Sequence, residues 1–582
     1  MTQKYLMLGS MPFDATPETH IAAGEWCFLD CADRFPHWMD QFTIIDSRPT
    51  YQEDEQYTAA LMGWGSQQLH KYAEKCNSSL REPLSPYIWE LLLGRWCITI
   101  IPFIGLAYRV AQQAVTRYEH TNLVVPISKP TAHTHKTLQN LFQDLITSSG
   151  FYLLLSAVIE KVAPPAWTLV PQQVSQKSTP PQETLFSLTA SWFYRKIFRR
   201  HKEGFGLRGL LREATQRIID RSPDLPIPQF PFSSCWQRLF LSAVLFTNRQ
   251  QTPRLHPLLR ERYPSNGQKF PQWMAQLLWE YLPDDFKAIE TQIKCRKSLF
   301  KLWICDIRFS TQQKYLIKYA SLAAGGVRLY TVQHAPTYFA IPTIGIASAE
   351  EYNHAGFLMW GDGGEKFQTN FPAPAPPLVY NKLYGAHKEK NESIYYILDK
   401  QRPIDIPNCF SLFRPVRENM KNLKEFYTTL PQKLKTKFCI RHYDNATGSF
   451  DSRSWEICKK IPAVAGDNIQ NMSQARIIVV NYLASSFGQA LILNAPCLWI
   501  WQFPSYKYTK KISYIFNLFR SVGIIHDTPM AAATFLANQW DNIPNWWQSS
   551  LVQDVRVSFV KNYYGLYSKY PLYDWMRLIH KL

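Results

Sequence analysis

The stretch from Arg476 to Trp501, RIIVVNYLASSFGQALILNAPCLWIW, restricts the fold more than any other part of the chain. Arg476 to Asn481 is a continuous apolar run, the pattern of a strand covered on both faces in a parallel sheet. Ser486 to Leu493 then reads as helix, and Cys497 to Trp501 as another strand. Strand, helix and strand at these lengths form a right-handed crossover, the unit of a doubly wound sheet. Ser393 to Leu398 (SIYYIL) and Phe438 to Arg441 (FCIR) supply further strands upstream. Such sheets bind ligands beyond the carboxyl ends of their strands. The turn after Asn481 is one such end.

Phe371 to Leu378, FPAPAPPL, contains four prolines. Proline fixes φ and removes a donor, so helix and central strand are both excluded there. We read it as a semi-rigid linker between an N-terminal part, residues 1–370, and a C-terminal part, residues 379–582. The expected fold is α/β, with extra helices in the N-terminal part. A chain of 582 residues suits more than one core. In the N-terminal part, Ser85 to Gln112 is a long apolar-periodic segment. Within it, Trp96 to Ala107 (WCITIIPFIGLA) is too short to span a bilayer and reads as a buried helix or strand pair. Pro164 to Gln182 reads as a polar loop. Gly325 to His334 reads as a turn, a strand and a polar strand end.

Charge and cysteine usage narrow the setting. Lys and Arg exceed Asp and Glu by 64 to 45, a net charge of +19. That excess favours polyanionic partners: nucleic acid, an anionic membrane surface or phosphorylated substrates. The 11 cysteines are odd in number and include no CxxC pair, which fits reduced, buried thiols and not a zinc site. The N-terminus has no cationic start followed by a long apolar run, so it does not read as a signal peptide. The expected location is the cytoplasm, peripheral to the inner membrane. Arg195, Lys196, Arg199, Arg200 and Lys202 are the leading membrane-facing patch.

Several residues carry candidate chemistry. Gln333 and His334 end the strand RLYTV, and a histidine there suits phosphate contact or proton transfer. Ser485 and Ser486 lie near a helix N-terminus, where N–H groups and hydroxyls can hold a phosphate. Arg441 ends the strand FCIR and can bind a phosphate or carboxylate bidentately. Glu25, within GEWC, is a candidate base. Glu350 and Glu351 precede FLMWG, and as neighbours on a strand they point to opposite faces. Each has a plain structural alternative: a core histidine, a serine N-cap, a surface glutamate. No Walker loop, HExxH or GxSxG pattern is present, and no DxD in a strand–loop context. No metal and no organic cofactor is therefore expected.

Taken in order, these blocks resemble the bacterial transferases of lipopolysaccharide and surface-polysaccharide loci. That group is similar in its core to GT-B glycosyltransferases and to capsule and teichoic-acid polymer transferases. The matching blocks are GEWC at Gly24 to Cys27, and an aromatic segment LLLGRWCITIIPFIGLAYR with Trp96 and Arg109. A third pairs Gln333 and His334 with a following glutamate, Glu350 or Glu351, and Met359-Trp360-Gly361. A fourth is a TTxLE-like turn carrying Ser485 and Ser486 before NAPCLWIW, and the last is GIIHDTPMAAA with Trp546 and Trp547. The resemblance implies two Rossmann-like domains facing across a cleft. It also implies a nucleotide sugar as donor, with a polysaccharide or lipid-linked acceptor. Gln333, Arg441, Ser485, Ser486 and Gln489 would then serve the donor, and Glu25, His334, Glu350 and Glu351 the chemistry. The sequence departs from the pattern at Ala335 and Pro336, where the family has glycines, and at Gln489, where it has glutamate. Two other classes stay open: a catalytically degenerate scaffold subunit of a polysaccharide assembly complex, and a basic nucleic-acid-binding protein. Against the second, no nucleic-acid-binding motif is visible.

Overall fold

The computed structural model describes residues 3–29, 31, 34, 35, 37–45, 51–80, 82–128, 138–145, 147–172, 268–287, 302–305, 313–333, 356–361, 370–375, 390–398, 416–442, 452, 455–481, 485–501, 510–565, 574, 577 and 578. Strands rich in Ile, Val, Leu and aromatics pair in parallel throughout, and the described strands form three sheets, so the fold is α/β.

The first sheet holds β1 (Lys4–Met7), β2 (His20–Ala22), β3 (Thr43–Ile44), β4 (Leu123–Ile127) and β5 (Trp167–Pro171), ordered β3-β2-β1-β4-β5. This is the doubly wound order, with its switch between β1 and β4. Strand β5 corrects the loop reading of Pro164 to Gln182 at residues 167–171, and residues 173–182 lie outside the described residues. Trp167–Pro171 pairs in register with β4, and at the sheet edge its proline costs no ladder bond to a further strand.

Two long helices, α1 (Tyr51–Asn77) and α2 (Pro86–Tyr118), pack against each other and share one apolar core with this sheet. Ser85 caps α2 by accepting from Ile88 N at 3.4 Å, and Pro86 occupies the first turn, where its missing N–H has no role. The apolar segment WCITIIPFIGLA is thus the middle of one buried helix, with Pro102 inside it. Its most apolar window is long enough to cross a membrane, yet 94% of that window is buried inside the protein. Among the described residues, the further helices of eight or more residues in this part are α3 (Leu138–Leu145), α4 (Ser148–Val162), α5 (Gln272–Glu280) and α6 (Gln313–Ala324).

The second sheet runs β6 (Leu302–Cys305), β7 (Arg328–Val332), β8 (Gly356–Trp360) and β9 (Asn370–Ala373) in sequence order. The first residues of the proline cluster therefore lie in a strand. Phe371 and Pro372 pair with Leu358 and Met359 at the sheet edge, the one strand position that tolerates proline. The next strand, β10 (Ile394–Ile397), belongs to a different sheet.

That third sheet contains β10, β11 (Phe438–Arg441), β12 (Ile477–Val480), β13 (Cys497–Ile500) and β14 (Ile525–His526), ordered β11-β10-β12-β13-β14. Counted along the chain this is 2-1-3-4-5, again a doubly wound order. Among the described residues, its longer helices are α7 (Val416–Thr429), α8 (Asn468–Gln474), α9 (Ser485–Ile492), α10 (Lys510–Ser521), α11 (Pro529–Gln539) and α12 (Ser550–Tyr564), and the short helix Ile543–Gln548 carries the paired tryptophans. Strand alternation divides the core between the two faces. Tyr396, Ile477, Val479 and Leu498 pack with Met420, Leu423 and Phe426 of α7 and Leu536 of α11. Tyr395, Ile478, Val480 and Trp499 pack with Phe487 of α9, Phe516 of α10 and Phe559 of α12.

Candidate active site

In the third sheet the strand order changes direction between β10 and β12, so their carboxyl ends are neighbours with diverging connections. This is the place where an open α/β sheet forms a crevice. Asn481 follows directly on β12 and is fully buried. It shares the strand parity of Ile477 and Val479 and faces α7, where its Nδ2 donates to Oδ1 of the equally buried Asn419 at 3.1 Å. Asn422, one helical turn further along α7, is buried as well. Sequence reading used Asn481 only to mark a strand end and passed over Asn419 and Asn422. Their signal was polar residues on the apolar face of an amphipathic helix.

Helix α9 begins at Ser485, shortly after this strand end, and packs on the sheet face opposite α7. Ser485 and Gln489 are half-buried and share a helical face at i and i+4, whereas Ser486 is buried. Hydroxyl and backbone N–H groups therefore stand at the carboxyl edge of the sheet, as the crossover pattern implied. His442 sits at the carboxyl end of β11, with its Nδ1 and the Ser452 hydroxyl 2.7 Å apart and both residues buried. Arg441, beside it on the edge strand, donates from Nη1 to Gly466 O at 2.7 Å. It also lies close to Tyr395, whose phenol is pushed up by burial against the opposing pull of that guanidinium.

Gln333 lies at the end of β7 and is fully buried. Its Oε1 accepts from Trp360 N at 2.8 Å, and its own N–H donates to Leu358 O, so it ties β7 to β8. The Trp360 ring packs on Tyr564 at the end of α12, with centroids 5.6 Å apart. Gly361 has φ +60, and the Asn562 carbonyl fills the place its Cβ would take. Tyr564 in turn covers Gly488 on α9, again where a Cβ would be. One row of contacts thus runs from Gln333 through Trp360 and Tyr564 to the helix that Ser485 and Ser486 open. His334, Glu350, Glu351, Ala335, Pro336 and the basic run at 195–202 lie outside the described residues.

At the first sheet Glu25 is half-buried and stands beyond the carboxyl end of β2. Its neighbours are structural. The Trp26 indole N–H donates to Leu8 O at 2.9 Å, the Cys27 thiol to Met7 O at 3.3 Å, and Met11 N to Cys27 O at 2.7 Å. Burial pushes the Cys27 thiol up to about 12, so it is a packing group and not a nucleophile. Glu25 is the chemically versatile member of the block left at a strand end. Trp96 and Arg109 likewise serve the helical core: Trp96 donates to Tyr281 O at 3.1 Å, and Arg109 lies over the Tyr57 ring.

The block GIIHDTP with the paired tryptophans is a framework. Gly523 takes φ +77 after α10, His526 Nε2 lies 3.0 Å from Gly523 O, and Arg520 pairs with Asp527. Thr528 caps α11 by accepting from Ala531 N. Trp546 donates to Val522 O at 2.9 Å, and Trp547 to Asn494 Oδ1 at 2.9 Å. Among the described residues, no cluster of His, Cys, Asp and Glu could hold a metal ion.

With this arrangement established, comparison with protein families is informative: the model for the LIC12162 family transferases matches residues 4–579. The chain belongs to the LIC12162 transferase family. No curated protein matches it. The matched range spans all three sheets.

Proposed function

We propose that this LIC12162 transferase moves a sugar or sugar acid from a nucleotide donor to a cell-surface polysaccharide or lipid-linked acceptor. In this reading it acts on the cytoplasmic side of the inner membrane. Residues 1–370 hold the acceptor and residues 379–582 the donor, as two Rossmann-like domains across a cleft. The observation that carries the reading is the coincidence, at the switch of a 2-1-3-4-5 parallel sheet, of the Ser485–Ser486 helix start with the buried amide of Asn481. Crevices of this kind bind nucleotides.

The donor phosphates meet the N–H groups and hydroxyls at the start of α9, where the helix dipole favours negative charge. Gln489, one turn on, reaches a ribose hydroxyl. His334 and Gln333 are assigned to the donor from the other side of the cleft, Gln333 through the strand end that it holds, and Arg441 adds positive charge from the edge strand. The leaving phosphate is stabilised by these donors alone. Glu25, or one of Glu350 and Glu351, takes the acceptor proton.

A thermal-shift screen with UDP, GDP, CDP, CMP and dTDP tests this. One base class should stabilise the protein selectively, by about 2.7 kcal/mol at a hundredfold excess over Kd. Silence from all five would overturn donor binding and favour a scaffold role in a polysaccharide assembly complex. Salt-dependent binding of labelled oligonucleotides would point instead to a nucleic-acid partner.

A further inference from the structure

The asparagines beneath the carboxyl edge of the third sheet are incompletely paired. Asn481 Nδ2 donates to Asn419, but Asn481 Oδ1 is buried with no hydrogen-bond partner among the described residues. The same holds for Asn422 Nδ2. A buried amide atom without a partner carries its full desolvation penalty, and native cores rarely keep one without use. Here an acceptor is left over just after β12, and a donor on α7, one turn beyond the asparagine that contacts it.

We infer that Asn422 and Asn481, steadied by Asn419, form an uncharged subsite for a hydroxyl-bearing part of the ligand, resting on the reading of this edge as the donor site. A hydroxyl both donates and accepts, so it suits either atom, as donor to Asn481 Oδ1 or as acceptor from Asn422 Nδ2. The surrounding faces are apolar, formed by Met420, Leu423, Ile477 and Val479. A phosphate placed there would lose its hydration to neutral amides and hydrocarbon, whereas a neutral hydroxyl would not. The subsite therefore takes a ribose or glycosyl hydroxyl, while the phosphates remain at Ser485 and Ser486. Ligand specificity then comes from the amides, because a site built to hydrogen-bond a hydroxyl rejects analogues that lack it.

Asn422→Leu separates this from a purely structural amide. The substitution keeps the branched shape and replaces an unpaired donor with a methyl group, so the free protein should melt at an equal or higher temperature. Affinity for the nucleotide selected in the screen, and for its uncharged nucleoside or the free monosaccharide, should fall about tenfold, the loss of one hydrogen bond. Ser485→Ala with Ser486→Ala should weaken the nucleotide alone. The nucleoside and monosaccharide arms tell a ribose hydroxyl from a glycosyl one. If nucleotide binds and Asn422→Leu leaves every Kd within twofold, the subsite is wrong and the donor reading survives. If monosaccharides bind through Asn422 and no nucleotide binds, the subsite stands and the donor reading falls. If Asn422→Leu lowers the melting temperature with affinities intact, the amide is structural. If none of the three ligand classes binds the parent protein, both readings are overturned.

Discussion

Tyr564 and Gly488 form a fitted pair: the phenol at the end of α12 lies where any side chain at position 488 would begin. The contact locks the last long helix onto α9, and the Trp360 ring closes the other side of Tyr564. Tyr564 is fully buried, and burial drives its phenol far up, so it packs as a neutral group.

Gly488→Ala should therefore destabilise the protein by about 1–3 kcal/mol through overpacking. Chemical denaturation measures it. The same experiment on Gly361→Ala should show a comparable or larger loss, because there the obstacle is the backbone carbonyl of Asn562, which cannot rotate away. Wild-type stability for Gly488→Ala would mean that α12 does not seat on α9 as described.

Asn494 holds φ +53 and accepts from Trp547 Nε1 and Gln553 Nε2 at 2.9 and 3.1 Å. Asn494→Ala and Asn494→Gly both remove the acceptor, but only alanine adds left-handed strain. Alanine should cost roughly 1 kcal/mol more than glycine. Equal losses would locate the whole effect in the hydrogen bonds.

His526 is mostly buried, and burial lowers its pKa below 6.5 in spite of the Gly523 carbonyl and Asp527. The folded state binds the proton less readily than the unfolded one. Stability from this group is then fully present above pH 6.5 and is lost as pH falls through the lowered folded value. His20 acts in the same direction. His526→Gln should flatten part of the acid limb of a stability–pH curve, and an unchanged slope would assign that limb to other groups.

Thiol chemistry should divide the cysteines. Cys27, Cys97 and Cys497 are fully buried, with thiols pushed up by desolvation, whereas Cys439 is partly exposed and raised to about 11. Among these four, a thiol reagent at neutral pH should modify Cys439 first in the folded protein and all of them only in denaturant. Mass mapping of modified peptides reads the order.

Ser485→Ala with Ser486→Ala should weaken nucleotide binding about ten- to a hundredfold, since hydrogen bonds to charged groups contribute about 1.5–3 kcal/mol. Glu25→Gln should leave that binding intact and reduce turnover, because a base acts on the acceptor. If Glu25→Gln turns over normally, the base passes to Glu350 or Glu351.

The sequence by itself determined the elements whose signal is local. The run RIIVV, the helix after it and the strand CLWIW fixed a parallel crossover, because continuous apolar strands need cover on both faces. Ser485 and Ser486 were legible as a helix start for the same reason. The weaker strands were not legible. Trp167–Pro171 and Asn370–Ala373 are short, contain proline and lie at sheet edges, so only their pairing with β4 and β8 makes them strands. Sheet order was also beyond the sequence, since it depends on which strands meet across more than a hundred residues, as β1 and β4 do. The tertiary structure alone decided that Gln333 ties β7 to β8 and that GIIHDTP and its tryptophans form a framework. It alone placed Asn419 against Asn481 and buried Asn422 one turn further along α7. A side chain's role depends on its partners, and these lie on elements that only folding brings together.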